Sequence, residues 1–448
     1  MNDTFMKEKP ILPLILSMSM PMVLSMLVNS LYNIVDSFFV AQISEEAMTA
    51  LSLVYPVQNF INAAGIGFGV GINAVIAFYL GAGDHEKADQ AATQGLVLAV
   101  IHGVVMTVCC IAIMPVFLRM FTASEAVIEL GVRYSAVAFG FTLIVTVSMM
   151  FEKLFQAVGN MKTTMISLMC GCITNIVLDP VLIFGYGPFP EMGIEGAALA
   201  TGIGQVLTLA IYLVIYFVRP IRVHIRRQHI LPGKKMVIKL YSIGIPATLN
   251  LALPSLLISA LNAILAAYSE VYILVLGIYY KLQTFIYLPA NGIVQGMRPL
   301  IGYNYGAGNT KRIMQAFRGI ILLCVVFCGL MFVLAQTISG SFVRIFTRDP
   351  AYIDMASYMI RTYSLGVLGL AIQYPAVDGM TGMGLIRWGL TFSMLRKGLF
   401  LVCVFVLPPL FGATAVMFSE PISDITAAVV SACGLAYVLP RLLRRQQV

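Results

Sequence analysis

Four oxygen-bearing side chains fall inside apolar stretches in the first half of the chain: Asp36, Asn175, Asp179 and Thr201. At about 1.5 Å per helical residue, Asp36, Asp179 and Thr201 reach roughly 8–12 Å into a membrane from the nearer ends of the spans predicted below, and Asn175 lies one turn before Asp179 on the same helix face. Ionisable residues inside membrane spans are costly and commonly mark ion or substrate pathways. Two carboxylates, an amide and a hydroxyl at one depth could coordinate Na⁺ or hold a proton. For Asn175 or Thr201 taken alone, a hydrogen bond to a neighbouring helix is the simpler explanation.

The composition is that of a protein that crosses a membrane many times. Of the 448 residues, 59% are hydrophobic and 11% are charged, against about 45–50% and about 25% in soluble domains. The formal net charge of +8 is concentrated in loops, so it follows membrane topology and does not indicate a nucleic-acid partner. All eight cysteines lie in apolar stretches. They are expected as small buried residues and not as disulfides or metal ligands.

Apolar length predicts an all-α membrane protein with twelve transmembrane helices. A span needs about 20 apolar residues, and polar or Gly/Pro clusters separate the candidates. The predicted spans are 11–40, 47–78, 88–117, 125–150, 162–186, 193–218, 238–267, 271–302, 312–340, 351–378, 387–410 and 414–439. Several exceed the thickness of a bilayer, so tilted or kinked helices are expected.

The chain matches itself at a shift of 225 residues, so that Gly81-Ala82-Gly83 recurs as Gly306-Ala307-Gly308. Other identical pairs under this shift are Gly67 and Gly292, Gly71 and Gly296, Tyr55 and Tyr280, and Gln58 and Gln283. A duplicated half in so apolar a chain is typical of transporters built from two like bundles. We therefore predict two pseudo-symmetric six-helix bundles, at 1–218 and 238–448, joined by a basic linker at 219–237.

Orientation follows from the segment between the halves. Residues 219–239 carry seven lysines and arginines and no acid, which places this segment in the cytoplasm. Six spans in each half then place both termini in the cytoplasm as well. The repeated glycine runs lack the Gly-Lys-Ser/Thr of a phosphate loop, so an ATP-driven pump is disfavoured. A membrane enzyme or receptor would need a convergent catalytic set or a large outer domain, and the sequence indicates neither, so we predict no enzyme and no cofactor.

Side chains suited to bulky apolar cations occur in the spans of both halves. Adaptable methionines and aromatic faces favour such ligands collectively, although most of these residues individually are explained by packing or lipid contact. The predicted cavity residues are Met26, Tyr55, Gln58, Tyr280, Gln283 and Lys281. Lys281 lies near the middle of its span, where it could repel or gate a cation. The alternative for Lys281 is a structural bond to a helix carbonyl or to a neighbouring acid.

Several motifs together resemble the multidrug and toxic compound extrusion (MATE) family, particularly its bacterial MepA-like group. They are Asn33-Ile34-Val35-Asp36-Ser37-Phe38-Phe39-Val40, Asn175-Ile176-Val177-Leu178-Asp179-Pro180, Phe155-Gln156-Ala157-Val158-Gly159, Gly193-Ile194-Glu195-Gly196-Ala197-Ala198, Gln295-Gly296 and Tyr303-Asn304-Tyr305-Gly306-Ala307. The resemblance covers essentially the whole chain.

The resemblance implies a multi-pass protein of the bacterial cytoplasmic membrane that acts as a monomer. It implies alternating access and export of cationic amphiphilic drugs in exchange for H⁺ or Na⁺. The family's first-half cation site maps onto Asp36, Asn175, Asp179 and Thr201, and its bend in span 1 maps onto Pro21. Some relatives carry a second-half ion site with an acid in span 7, which this chain lacks. Relatives in the wider superfamily move lipid-linked saccharides, so a flippase is the alternative function.

Overall fold

The computed structural model describes residues 5–266, 270–344 and 349–445, and these form α-helices joined by short turns, without a strand in the ranges described. The helices of the first half are α1 (Phe5–Glu8), α2 (Ile11–Ala41), α3 (Glu45–Gly81), α4 (His85–Arg119), α5 (Glu125–Gly140), α6 (Thr142–Ala157), α7 (Met161–Phe184) and α8 (Ile194–Val218). Those of the second half are α9 (Lys234–Ala266), α10 (Glu270–Gly306), α11 (Thr310–Val343), α12 (Pro350–Ser364), α13 (Val367–Gly382), α14 (Ile386–Phe411) and α15 (Ser419–Arg445).

Each of the twelve predicted spans falls on a long helix or on a pair of helices. Within the described ranges, nine helices are long and apolar enough to cross a membrane, and two bent pairs bring the number to eleven. The remaining predicted span is α10, which is 37 residues long and carries several polar residues. Spans 4 and 10 are each formed by two helices, bent by 44° between α5 and α6 and by 40° between α12 and α13. The break at Phe141 corresponds to Gly366 under the 225-residue shift, so the bend itself is repeated.

The turns at the predicted repeat are also duplicated. Gly83 and Gly308 both have positive φ angles, 76° and 67°, a left-handed conformation that glycine adopts without steric cost. The residue after each glycine donates its backbone N–H to the equivalent carbonyl, Asp84 to Tyr79 and Asn309 to Asn304, both at 2.9 Å. The repeat therefore encodes the same helix–turn–helix connection twice.

Contacts divide the chain into two compact units, and each unit takes part of a helix from the other half of the sequence. Of the described residues, the first unit comprises Leu24–Ala252, and the second comprises residues 5–23 together with those from Leu253 onward. The first boundary falls two residues after Pro21 in α2. The predicted domain limits divide the chain by sequence order and not by contacts, so they stay a prediction.

The duplicated glycines explain how these exchanged helix segments pack. In the first unit, a Cβ at Gly71 would lie 2.6 Å from the Leu240 carbonyl oxygen of α9. In the second unit, a Cβ at Gly296 would lie 2.8 Å from the backbone of Ser19 in α2, and the Ser19 hydroxyl donates to the Ile293 carbonyl at 2.9 Å. Glycines spaced four apart let two helix backbones approach this closely in membrane proteins.

The segment between α8 and α9 is fixed to α4. Asp89, which is 3% exposed, accepts hydrogen bonds from the His224 backbone N–H at 2.7 Å and from Arg226 Nε at 2.5 Å. Thr93 Oγ1, one turn further along α4, accepts from the Arg226 backbone N–H at 2.9 Å. Val223 is fully buried within this segment. The basic linker is thus an ordered part of the first unit.

Candidate functional site

The polar residues predicted in spans 5 and 6 meet in the first unit. Asn175 and Asp179 lie one turn apart on α7, and Thr201 lies on α8, which packs closely against α7. Asn175 Nδ2 donates hydrogen bonds to Asp179 Oδ1 at 3.2 Å and to Thr201 Oγ1 at 3.1 Å. A Cβ at Gly204 would lie 2.7 Å from the Gly171 carbonyl oxygen. Small residues at this crossing therefore bring the polar side chains within bonding distance.

Asp36 extends this group from α2 and lies within electrostatic range of Asp179. We call Asp36, Asn175, Asp179 and Thr201 the first-unit acid site. Asp36 Oδ1, Asp179 Oδ2 and Asn175 Oδ1 are buried, and none has a hydrogen-bond partner among the described residues. Buried polar atoms in native proteins are nearly always satisfied. Three unsatisfied acceptors suit a guest that brings positive charge, and a proton or an oxygen-coordinated Na⁺ fits that description.

Two tyrosines that the sequence analysis did not single out surround this site. Tyr32 lies one turn before Asp36 on α2, within electrostatic range of both aspartates. Tyr134 of α5 is 2% exposed, lies within range of both aspartates and is hydrogen-bonded to Gln58. The four-residue spacing of Tyr32 and Asp36 is a signal that could have found the first tyrosine. The sequence offers no comparable signal for Tyr134.

The residues predicted to line a substrate cavity occur in both units. Tyr55 is 58% exposed, whereas Met26 and Gln58 are half-buried. In the second unit, Tyr280 is half-buried beside Tyr279. The side chain of Lys281 lies outside the described residues. The cavity role of these residues, and the bend at Pro21, stay predictions.

The second unit does not repeat the acid site. Under the 225-residue shift, the positions that correspond to Asp36, Asn175 and Asp179 hold Leu261, Phe400 and Val404. These three residues belong to one apolar core cluster, in which Leu261 and Val404 are fully buried. The two aspartates and the asparagine of the first-unit acid site therefore have apolar counterparts in the second unit.

The second unit instead contains a buried ion cluster that the sequence analysis missed. Glu420 and Asp424 lie one turn apart on α15 and are 5% and 0% exposed. Arg396 of α14 donates to Asp424 Oδ1 through Nε at 2.5 Å and to Asp424 Oδ2 at 3.2 Å. Two acids spaced by four residues in the last span, with an arginine in the span before it, are the signal that could have found this cluster.

Asp378 has a structural role in the same unit. Its carboxylate is hydrogen-bonded to Arg298, through Nε at 3.1 Å and also through the terminal nitrogen. Arg298 and Asp378 correspond to Asn73 and Lys153 under the repeat shift, and the Asn73 amide donates to the Lys153 carbonyl at 3.2 Å. Equivalent positions thus join the second long helix to the bent pair in both units.

The MatE family profile matches the chain twice, over residues 21–181 and 246–406. The second match begins and ends 225 residues after the first, which is the shift at which the sequence repeats itself. The chain belongs to the MatE family. The resemblance to MATE transporters predicted from the motifs is confirmed, and each half carries one copy of the family unit.

Relatives of the chain match it over nearly their whole length. Multidrug export protein MepA of Staphylococcus aureus (strain N315) is 27% identical over 450 residues, which is 99% of this chain and 96% of that protein. The protein of the same name from Staphylococcus haemolyticus (strain JCSC1435) is 27% identical over 432 residues, covering 95% of this chain and 94% of that protein.

Solved structures share the fold. A multidrug resistance MATE family transporter of the MOP superfamily, in its outward-facing conformation, matches with a TM-score of 0.93 and 22% identity over 99% of both chains. A MOP superfamily transporter from Pyrococcus furiosus matches with a TM-score of 0.91 and 22% identity, over 100% of this chain and 99% of that one. The predicted all-α membrane fold of two like six-helix bundles is confirmed.

Proposed function

We propose that this MatE-family protein exports cationic amphiphilic compounds in exchange for H⁺ or Na⁺ that flows inward down its gradient. The observation that carries this proposal is the group of three buried, unpartnered acceptor atoms in the first-unit acid site. A cation bound there offsets the negative charge and supplies a partner to these acceptors, and its release leaves buried negative charge that must be compensated. The names of the two staphylococcal relatives support drug export.

The geometry of the acid site suits coupling by competition for charge. Asn175 holds one oxygen of Asp179 and the hydroxyl of Thr201, which keeps the second oxygen of Asp179 available to a guest. A coupling ion at Asp36 and Asp179 neutralises the charge that would otherwise attract a cationic substrate. Binding of either partner therefore weakens binding of the other by the same factor, since linkage between two ligands is reciprocal.

The proposed direction of transport rests on the basic segment. Residues 219–239 carry seven lysines and arginines and no acid, and such segments stay in the cytoplasm. On this basis both termini are cytoplasmic. Inward ion flow then enters from the opposite face, near which Asp36 and Asp179 occur at the later ends of α2 and α7.

The test is transport by the purified protein in proteoliposomes, with pH and Na⁺ gradients imposed separately and ethidium as the cationic substrate. We expect one of the two gradients to drive ethidium movement, and an ionophore that collapses that gradient to abolish it. The gradient that drives transport identifies the coupling ion. If neither gradient moves ethidium or other organic cations, the proposal is wrong, and a lipid-linked saccharide becomes the next substrate to assay.

Asp36→Asn and Asp179→Asn test the site itself. Each amide keeps the size of the side chain but cannot cycle charge, so each variant should lose gradient-driven ethidium transport while still folding. Glu129→Gln, at an exposed glutamate of α5, is the matched control and should transport like the wild type. Full transport by both aspartate variants would contradict the assignment.

A further inference from the structure

The ion cluster of the second unit has two carboxylates and one guanidinium, which is hydrogen-bonded to only one of them. Arg396 makes two hydrogen bonds to Asp424, at 2.5 and 3.2 Å. Its distance to Glu420 Oε1 is 3.8 Å, which is too long for a hydrogen bond. Arg396 and Asp424 thus form a bidentate pair, and these three groups, when all are ionised, carry one uncompensated negative charge.

Glu420 is held by hydroxyl and amide donors from α10. Tyr279 donates to Oε2 at 3.1 Å, Gln283 Nε2 donates to Oε1 at 2.5 Å, and the Tyr287 hydroxyl also donates to Oε1. Tyr287 further accepts from Arg396 at 3.3 Å. These neutral donors fix the position of the Glu420 carboxyl, but they do not neutralise its charge.

Burial makes the uncompensated charge costly. The side chain of Glu420 is 6% exposed, that of Asp424 is 0% exposed and that of Arg396 is 19% exposed. An unpaired ion in such surroundings costs several kcal/mol after relaxation. A positive guest at Glu420 therefore stabilises the unit.

A second, independent feature indicates a small polar guest. The hydroxyl of Tyr363, a residue that is fully buried, has no hydrogen-bond partner in the part of the chain that the structure describes. The rings of Tyr363 and Tyr279 are tilted by 35° with centroids 4.4 Å apart, and Tyr363 lies within electrostatic range of Glu420. Because buried polar groups are nearly always hydrogen-bonded, this unpartnered hydroxyl near Glu420 supports a small polar guest at the cluster.

Most of the other titratable groups around the cluster are tyrosines. The side chains within electrostatic range of its carboxylates are Tyr279, Tyr280 and Tyr287 of α10, Tyr363 of α12, Tyr374 of α13, and Arg396 of α14. Tyrosine is neutral in its ordinary protonation state. Lys397, the next residue on α14, lies within electrostatic range of Arg396.

We propose that Glu420 is a proton-binding site of the second unit, separate from the first-unit acid site, and that Asp424 and Arg396 set its proton affinity. Uptake of a proton adds an O–H bond at the Glu420 carboxyl and cancels the extra charge, while Arg396 stays with Asp424. Loss of that proton restores the carboxylate, which then competes with Asp424 for Arg396. A proton suits the site better than Na⁺, because a guanidinium 3.8 Å away repels a metal cation but not a neutral acid.

The experiment measures protonation directly. This inference builds on the proposed ion-coupled export, but its test does not depend on transport. The measured quantity is the infrared C=O band of protonated carboxylic acids in the full-length, lipid-reconstituted protein, recorded as the pH is raised. We expect Glu420→Gln to lose the signal of one protonated carboxyl per molecule. Glu195→Gln is the matched control, since Glu195 occupies the equivalent repeat position and pairs with Arg133 at 2.7 Å on a partly exposed surface; its spectrum should match that of the wild type.

A second variant tests the shared guanidinium with Glu420 still present. Asp424→Asn frees Arg396 to pair with Glu420, so it too should remove one protonated-carboxyl signal. Asp36→Asn should leave the Glu420 signal in place. The proposal is overturned if Glu420→Gln has the wild-type spectrum, if Asp424→Asn retains the Glu420 signal, or if Na⁺ at constant pH removes that signal. If the wild-type protein moves no organic cation in proteoliposomes while these spectra are as expected, the proposed function is wrong and the proton-binding site is not.

Discussion

At the scale of single residues, burial decides what a charged pair contributes. The two units offer a matched comparison, because Glu195 and Glu420 are equivalent under the repeat shift. Glu195 pairs with Arg133, and their side chains are 28% and 49% exposed. Glu420 and Asp424 share Arg396 in the interior of the second unit. The same residue type at the same repeat position is therefore a surface contact in one unit and an internal charge in the other.

Removing the arginine from the buried cluster should reduce the free energy of unfolding more than removing the arginine from the exposed pair. Arg396→Met leaves a buried carboxylate without its partner, so we expect the free energy of unfolding to fall by about 3–5 kcal/mol. Arg133→Met removes an exposed ion pair and should change the free energy of unfolding much less. Thermal and denaturant unfolding of the detergent-purified variants measures both. Equal losses in the two variants would show that Arg396 is solvated in the same way as Arg133.

At the scale of helices, the repeated turns differ in the charge of the residue that caps the following helix. The turn between α3 and α4 is capped by Asp84, which accepts from the Lys87 backbone N–H at 3.0 Å. The equivalent turn between α10 and α11 is capped by Asn309, which accepts from the Arg312 backbone N–H at 3.2 Å. One cap is charged and the other is neutral, so only the first responds to pH.

The Asp84 cap should weaken in acid. The hydrogen bond from Lys87 Nζ, followed by the bond from its backbone N–H, lowers the pKa of Asp84 from its usual value. A carboxyl whose pKa is lowered by folding stabilises the protein above its unfolded pKa and loses that effect as the pH falls below about 4.

We therefore expect Asp84→Ala to cost about 1 kcal/mol near neutral pH, with a smaller cost in acid. Asp84→Asn, which reproduces the neutral cap of Asn309, should show no such pH dependence. Melting temperatures across the acidic range test this. A cost of Asp84→Ala that stays constant down to a pH of about 3 would contradict it.

Helix positions could be predicted from the sequence because apolar length is set by the thickness of the bilayer, and turn residues mark where each span ends. The bends at Phe141 and Gly366 could not, since each interrupts only one turn within an apolar run. Asp36 and Asp179 stood out because a charge in an apolar stretch is conspicuous. Glu420 did not, because counting residues from the end of a span gives depth but not burial. Its partners Tyr279 and Tyr287 come from α10, more than 130 residues earlier.

At the scale of the whole molecule, sequence order and compact units do not coincide. The first unit takes the beginning of α9 from the second half of the chain, and the second unit takes the beginning of α2 from the first half. In both units the exchanged segment packs on glycines of the repeat, with a Cβ at Gly67 or Gly292 falling 2.4 or 2.8 Å from the neighbouring backbone. Each half of the sequence therefore supplies a helix segment that the other half needs.

This exchange predicts how a chain divided between Pro232 and Gly233 should behave. Each fragment alone lacks the segment that covers its glycine face, so each should aggregate or be degraded when it is expressed singly. Expressed together, the two fragments should restore a monodisperse complex, because the division leaves the Asp89 contacts of the linker intact. Size-exclusion profiles of the separate and co-expressed fragments measure this. A single fragment that is monodisperse by itself would show that the exchanged segments are dispensable.

A glycine variant in the second fragment distinguishes specific helix packing from non-specific hydrophobic association of the fragments. Gly292→Leu places a bulky side chain against the Val23 backbone, where even a Cβ would lie 2.8 Å away, so it should prevent recovery of the complex. Gly277→Leu is the control on the same helix, because a Cβ at Gly277 meets nothing within 4 Å. If both variants assemble equally well with the first fragment, then the close approach at the repeated glycines does not hold the exchanged segment. If only Gly292→Leu fails to assemble, the glycines that the two halves share are explained by helix packing. A side chain at these positions would prevent each unit from binding the helix segment that the other half of the chain supplies.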